Sequence, residues 1–169
     1  MVVKAHMDFP YSYFISSPKM MINFGRAIGA VIFPGLVIYL DGELGTGKTM
    51  LVRGIALALG WPDVRSPSFT LINEYPTDPP IAHVDLYRLK ESEIESIGIE
   101  EYVDNGFLVA IEWGKPGYFP FVNEWWHVVI SYEDDMVKRE CRKVLIRASG
   151  ETAIEALKRF NKRVSSWGV

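Results

Sequence analysis

Apolar residues spaced three and four apart mark the first readable element of the chain. Ser17 followed by Pro18 fits a helix start, with the serine side chain as N-cap and proline at the first helical position. Met20, Phe24, Ala27, Ile28 and Val31 then recur on one face, which predicts a helix over residues 18–30. Pro34 and Gly35 interrupt the pattern. The unbroken apolar run that follows, residues 36–40, suits a strand buried on both faces. After a glycine-rich turn, residues 49–59 are apolar nearly all round. They predict a buried helix closed by Gly60 and Pro62.

Three further strands are expected. Residues 68–75 alternate through Phe69, Leu71, Asn73 and Tyr75; residues 81–86 are mixed; residues 107–113 form another apolar run. Residues 91–104 hold six acidic side chains and no basic one. Ile94, Ile97 and Ile99 give them something to bury, so they predict a short surface helix and loop. Residues 126–132 alternate again, Glu133, Asp134 and Asp135 suit a turn, and residues 139–147 suit a second strand. Residues 152–162 predict a closing helix with Ile154, Leu157 and Phe160 on one face. With no repeat, low-complexity tract or linker, the pattern predicts one α/β domain over residues 18–169 behind an N-terminal extension, residues 1–17. Its central sheet is expected to be mostly parallel and flanked by helices, with an antiparallel strand pair towards the C-terminus.

Composition narrows the class. The chain has 169 residues, 49% of them hydrophobic and 23% charged, enough apolar surface for a core and too much for disorder. A net charge of −3 excludes a uniformly basic nucleic-acid coat. That small figure hides an asymmetry: residues 1–135 carry nine Lys/Arg against eighteen Asp/Glu, and residues 136–169 nine against three. The basic excess includes Lys138, Arg139, Arg142, Lys143 and Arg147, then Lys158, Arg159, Lys162 and Arg163. It is either solvated decoration or a face towards nucleotide or RNA, opposite an acidic face that could dock a partner. The single cysteine, Cys141, asks for no oxidising compartment, and three histidines without a second cysteine make a structural zinc site improbable. The longest apolar stretch, residues 27–40, is broken by Pro34 and Gly35 and is too short to span a bilayer. Residues 1–17 lack a signal-peptide pattern. A cytoplasmic protein is the expectation.

The chemistry begins at residues 42–49, Gly-Glu-Leu-Gly-Thr-Gly-Lys-Thr, which fit G-x-x-x-x-G-K-[ST] between a buried strand and a helix. This is a P-loop arrangement, the alternative being a glycine-rich turn that caps a helix without nucleotide. Glycines let successive backbone N–H groups converge on phosphate oxygens, and the helix that follows directs its positive end at them. Lys48 reaches the β- and γ-phosphates, and Thr49 is the expected magnesium ligand. A carboxylate must complete the magnesium site. Glu112 ends the apolar strand 107–111, and Asp85 ends strand 81–84; both sit where ligands collect in parallel sheets. The alternative for each is a salt bridge to Arg88 or Arg53. Ser66, Ser68 and Thr70 surround Pro67, either as a segment sensing the γ-phosphate or as a hydroxyl-decorated strand start.

Taken in order, residues 42–49 with Arg53-Gly54, Ser66-Pro67-Ser68-Phe69-Thr70-Leu71 with Asn73-Glu74-Tyr75, His83-Val84-Asp85-Leu86-Tyr87-Arg88-Leu89, Ile97-Gly98-Ile99 and Ile111-Glu112-Trp113 resemble the bacterial TsaE (formerly YjeE) family. Its members are P-loop ATPases of tRNA threonylcarbamoyladenosine biosynthesis. The resemblance spans about residues 18–113. It implies ATP and Mg²⁺ as ligands, with Thr49 and Glu112 as the magnesium pair. Glu43, Leu44, Gly45, Thr46, Gly47, Lys48, Thr49 and Met50 would wrap the phosphates. Asp85 and the segment 66–70, Thr70 included, would belong to the sensing and hydrolytic machinery, and Trp113 would lie beside the site. It further implies work with TsaD and TsaB on tRNAs reading codons that begin with A. Thr46, Ser68 and Gly114 depart from the usual family residues, and the glycine leaves the loop after Glu112 less constrained.

The expected activity is therefore in-line attack of water on the γ-phosphate. Mg²⁺ and Lys48 neutralise charge, and Asp85 or Glu112 orients the water. No arginine is evidently placed as a finger within the chain, which points to slow turnover without a partner. Two alternatives stay open: a small-molecule kinase, which the acidic segment 91–104 disfavours as a phosphate lid, and a nucleotide-switched binding module with little turnover.

Overall fold

Residues 37–41 decide the architecture because both of their faces are apolar. The computed structural model describes residues 9–133 and 141–168. In it, Leu36, Ile38 and Leu40 face one hydrophobic cluster while Val37 and Tyr39 face a second. A strand with period-two alternation can be buried this way only at the centre of a sheet covered on both sides. This strand is β2 (Val37–Asp41). It pairs in parallel with β5 (Leu108–Glu112) on one side and β6 (Trp125–Tyr132) on the other. β4 (Ile81–Asp85) adds in parallel to β5, and β3 (Ile72–Tyr75) adds antiparallel to β4. On the far side β7 (Arg142–Ser149) returns antiparallel along β6, and β1 (Tyr11–Ile15) pairs antiparallel with β7. The seven-stranded order is β1-β7-β6-β2-β5-β4-β3. The predicted parallel core and C-terminal antiparallel pair are both present.

The helices follow the expected signals. α1 (Pro18–Gly29) begins at Ser17, whose hydroxyl accepts from Met20 N at 3.2 Å. α2 (Lys48–Ala58) starts on the glycine loop and α5 (Glu151–Val164) closes the domain. α1 and α2 pack unusually closely: a Cβ on Gly25 would fall 2.3 Å from Leu51 O, and one on Gly54 2.2 Å from Ile22 O. With α5 they cover the face where Phe24, Phe160 and Tyr13 meet edge-on at ring separations of 5.0–5.6 Å. The acidic segment forms α3 (Glu91–Ile94), a 3₁₀ turn, and α4 (Ile99–Asp104), which seat Ile94 and Ile99 in the second cluster. No helix among the described residues is long and apolar enough to cross a membrane.

Three boundaries differ from expectation. Within the predicted N-terminal extension, Tyr11–Ile15 is an edge strand with Tyr13 and Ile15 buried; its two-residue alternation is too short to stand out beside α1. The strand predicted over residues 68–75 begins only at Ile72. Thr70 N and Leu71 N both bond Pro67 O, and Leu71 takes a positive φ of 68°, so a turn occupies the first half. The second C-terminal strand runs to Ser149. Its predicted start at residues 139–140, like Asp134, Asp135 and Lys138, lies outside the described residues.

Candidate functional site

The glycine loop lies where β2 ends and α2 begins, at the C-terminal edge of the parallel strands. Gly47 adopts φ 113°, a conformation open to glycine and closed to most side chains, and it is the N-cap of α2. Lys48 folds back over the loop: its Nζ donates to Gly42 O at 2.7 Å and Glu43 O at 2.9 Å, and lies 3.9 Å from the Trp113 ring centroid. Burial pulls the Lys48 ammonium below the ordinary lysine range, while the Glu112, Asp85 and Asp41 carboxylates push it back up.

β4 and β5 bring the two acids together. Asp85 and Glu112 are register partners on these parallel strands, and both are nearly buried. Glu112 Oε1 accepts from Thr49 Oγ1 at 2.7 Å and sits 2.7 Å from His83 Nε2. Asp85 Oδ2 accepts from Ser68 Oγ at 3.1 Å, and its Oδ1 from Tyr87 N at 2.9 Å. Neither acid is bound to arginine: Arg53 donates to Val64 O, and Arg88 stacks on Phe69.

A cleft of about 310 Å³ joins these groups, lined by Leu44, Gly45, Gly47, Lys48, Thr49, Met50, Ser66, Ser68, Asp85, Tyr87, Glu112 and Trp113. The structure thus assembles most of the predicted residues in one place. Thr46 is buried under the loop, where its hydroxyl donates to Glu43 O at 2.9 Å, and Glu43 is exposed. Thr70 is not among the lining residues; its hydroxyl donates to Asn73 Oδ1 at 2.7 Å, because the turn at Pro67 aims Ser66 and Ser68 inward instead. Gly114, expected to loosen the loop after Glu112, is buried. A Cβ there would lie 2.7 Å from Ile111 Cγ2 and 3.0 Å from the Tyr39 ring, so the glycine permits tight packing. A larger groove of about 840 Å³ beside α1 offers Lys19, Arg26, Arg163 and Trp167 but no glycine loop and no carboxylate. The glycine loop and both carboxylates line the smaller cleft.

His83 and Tyr75 were not among the predicted site residues. A histidine inside the otherwise apolar run 81–84 is the sequence signal, since a fully buried imidazole needs partners.

The donor set fits a nucleotide phosphate with a divalent ion. A hydroxyl and a carboxylate converge at the first turn of a helix whose backbone N–H groups point into a glycine loop, and a lysine waits beside them.

Comparison with known proteins agrees with this geometry. The family model for threonylcarbamoyl adenosine biosynthesis protein TsaE matches residues 15–141. A Nostoc sp. protein named tRNA threonylcarbamoyladenosine biosynthesis protein TsaE is 37% identical over 129 residues, covering 72% of this chain and 78% of that one. A Haemophilus influenzae protein of the same name is 35% identical over 112 residues, 62% of this chain and 71% of that one. The crystal structure of Bacillus subtilis YdiB superposes with a TM-score of 0.77 at 25% identity, covering 94% of this chain and 99% of YdiB. The chain belongs to the TsaE family.

Proposed function

We propose that this protein is a Mg²⁺-dependent ATPase serving tRNA threonylcarbamoyladenosine biosynthesis in the cytoplasm, acting with TsaD and TsaB. The observation that carries the reading is the 2.7 Å bond between Thr49 Oγ1 and Glu112 Oε1 at the mouth of the glycine loop. These two groups would hold the ion, and when bound it neutralises charge on the β- and γ-phosphate oxygens. Lys48 exchanges its carbonyl partners for phosphate oxygens and stabilises the charge that builds there. Glu112 is already committed to Thr49 and His83, which leaves Asp85, held by Ser68 and the Tyr87 amide, to orient the attacking water.

No arginine lines the cleft among the described residues. Phosphoryl transfer without an arginine finger to add to the charge of Lys48 and the ion is slow, so a partner completing the site accounts for full activity. The test is steady-state phosphate release from ATP with and without Mg²⁺, and with and without TsaD and TsaB. Metal-dependent hydrolysis stimulated by the partners is the expected result. Transfer of phosphate to a small-molecule acceptor, or nucleotide binding with no turnover under any condition, would overturn the reading.

A further inference from the structure

His83 is fully buried in β4, where the other residues of the run 81–84, Ile81, Ala82 and Val84, are apolar and equally buried, so packing alone does not call for an imidazole. Its two nitrogens account for its presence. Nε2 lies 2.7 Å from Glu112 Oε1 and Nδ1 lies 3.1 Å from the Tyr75 hydroxyl. Tyr75, itself 5% exposed, reaches Arg65 O at 3.0 Å and accepts from Arg65 N at 3.3 Å. We propose that His83 and Tyr75 are positioning residues, a buried relay that fixes the orientation of the Glu112 carboxylate and ties it to the loop at residues 65–68. The proposal rests on the reading of Glu112 as the metal-site carboxylate.

The hydrogen-bond inventory sets the protons. A carboxylate only accepts, so Nε2 carries a hydrogen towards Glu112. Both His83 and Thr49 bond the same oxygen, Oε1. Were the Thr49 hydroxyl engaged by an ion instead, His83 would remain as the donor that holds the Glu112 carboxylate in place. This is the part a carboxylate-bound histidine plays beside many metal sites, with the order of groups reversed.

Tyr75 has one hydroxyl proton and two acceptors within reach, Nδ1 of His83 and the carbonyl of Arg65. The same loop also touches the second acid, because Ser66 and Ser68 hydroxyls lie 2.6 Å apart and Ser68 donates to Asp85. A movement of residues 65–68 therefore reaches Asp85 through Ser68 and Glu112 through Tyr75 and His83.

The experiment measures Mn²⁺ binding by electron paramagnetic resonance with a non-hydrolysable ATP analogue, together with the Mg²⁺ concentration for half-maximal ATPase and the melting temperature. His83→Leu is expected to weaken metal affinity about 10- to 100-fold. His83→Gln, which offers an amide donor near the Nε2 position, is expected to recover most of it. Tyr75→Phe keeps the ring and is expected to shift affinity in the same direction by less. If His83→Leu does not fold, the Tyr75→Phe and His83→Gln pair carries the test. Unchanged metal affinity in the folded variants, or equal loss in His83→Leu and His83→Gln, overturns the relay. Glu112→Gln separates the two readings: if it weakens metal binding and the His83 variants do not, the relay alone fails. If Glu112→Gln leaves metal binding untouched, the assignment of the site fails with it.

Discussion

Thr49 Oγ1 and Glu112 Oε1 lie 2.7 Å apart although 63 positions separate them in the chain. The contact joins the first turn of α2 to the end of β5, and under the proposed function these two side chains would hold the magnesium ion. Thr49→Val keeps the side-chain shape and removes the hydroxyl. It is expected to raise the Mg²⁺ requirement and lower kcat by roughly 10²-fold or more, while Thr49→Ser stays close to the parent. Mg²⁺ titration of ATPase activity checks it, and a Val variant with parental metal dependence would remove Thr49 from the site.

Lys48 is buried, and burial holds its ammonium below the ordinary lysine range. The fold therefore disfavours the charged form. The cost is fully present below the lowered folded pKa and fades as pH rises to the unfolded value. Lys48→Met is accordingly expected to melt at a higher temperature than the parent without nucleotide, yet to gain no stability when ATP is added. Thermal melts with and without nucleotide decide the matter.

The near contact of Gly25 and Gly54 sets the spacing of α1 and α2. Gly54→Ala drives a methyl to 2.2 Å from the Ile22 carbonyl, in backbone rather than a yielding side chain. The expected loss is about 1–3 kcal/mol, read by denaturant unfolding. Gly60→Ala is the companion variant, since nothing lies within 4 Å there; its positive φ of 85° carries a smaller strain cost.

His127 on β6 is mostly buried, and desolvation lowers its pKa from 6.5, with Arg147 and Lys115 adding to the shift and Asp41 opposing it. The neutral ring is thus the form the fold accepts. Its contribution is complete above the unfolded value and is lost as pH falls through the depressed folded value. The parent is expected to lose stability below about pH 6.5 more steeply than His127→Gln, by denaturation midpoints between pH 7 and 5.

The basic C-terminal cluster divides once folded. Lys158 is paired with Glu155 at 2.8 Å, whereas Arg163 lines the large groove with Lys19 and Arg26 from α1. Reversing Arg26 and Arg163 to Glu is expected to weaken salt-dependent tRNA binding several-fold and leave basal ATPase unchanged; reversing Lys158 is expected to do little. Filter binding at two salt concentrations measures both. Equal effects would return the groove to surface decoration.

Much of this protein is written in local patterns. Ser17-Pro18 sets the start of α1, the apolar run before Gly42 makes β2 a two-faced central strand, and the eight residues at 42–49 specify a tight glycine loop ahead of α2 because backbone conformation there depends on which residues lack a Cβ. Chain geometry also places Asp85 and Glu112 at strand ends. What no local pattern carries is which groups meet. The order of strands makes Asp85 and Glu112 register partners. The turn at Pro67 sends Ser68 to Asp85 and leaves Thr70 outside. Packing turns His83 from an oddity in an apolar run into a hydrogen-bond partner of Glu112. Hydrogen bonds of about 3 Å discriminate among side chains that sequence spacing treats alike, and only the packed sheet brings them within that range.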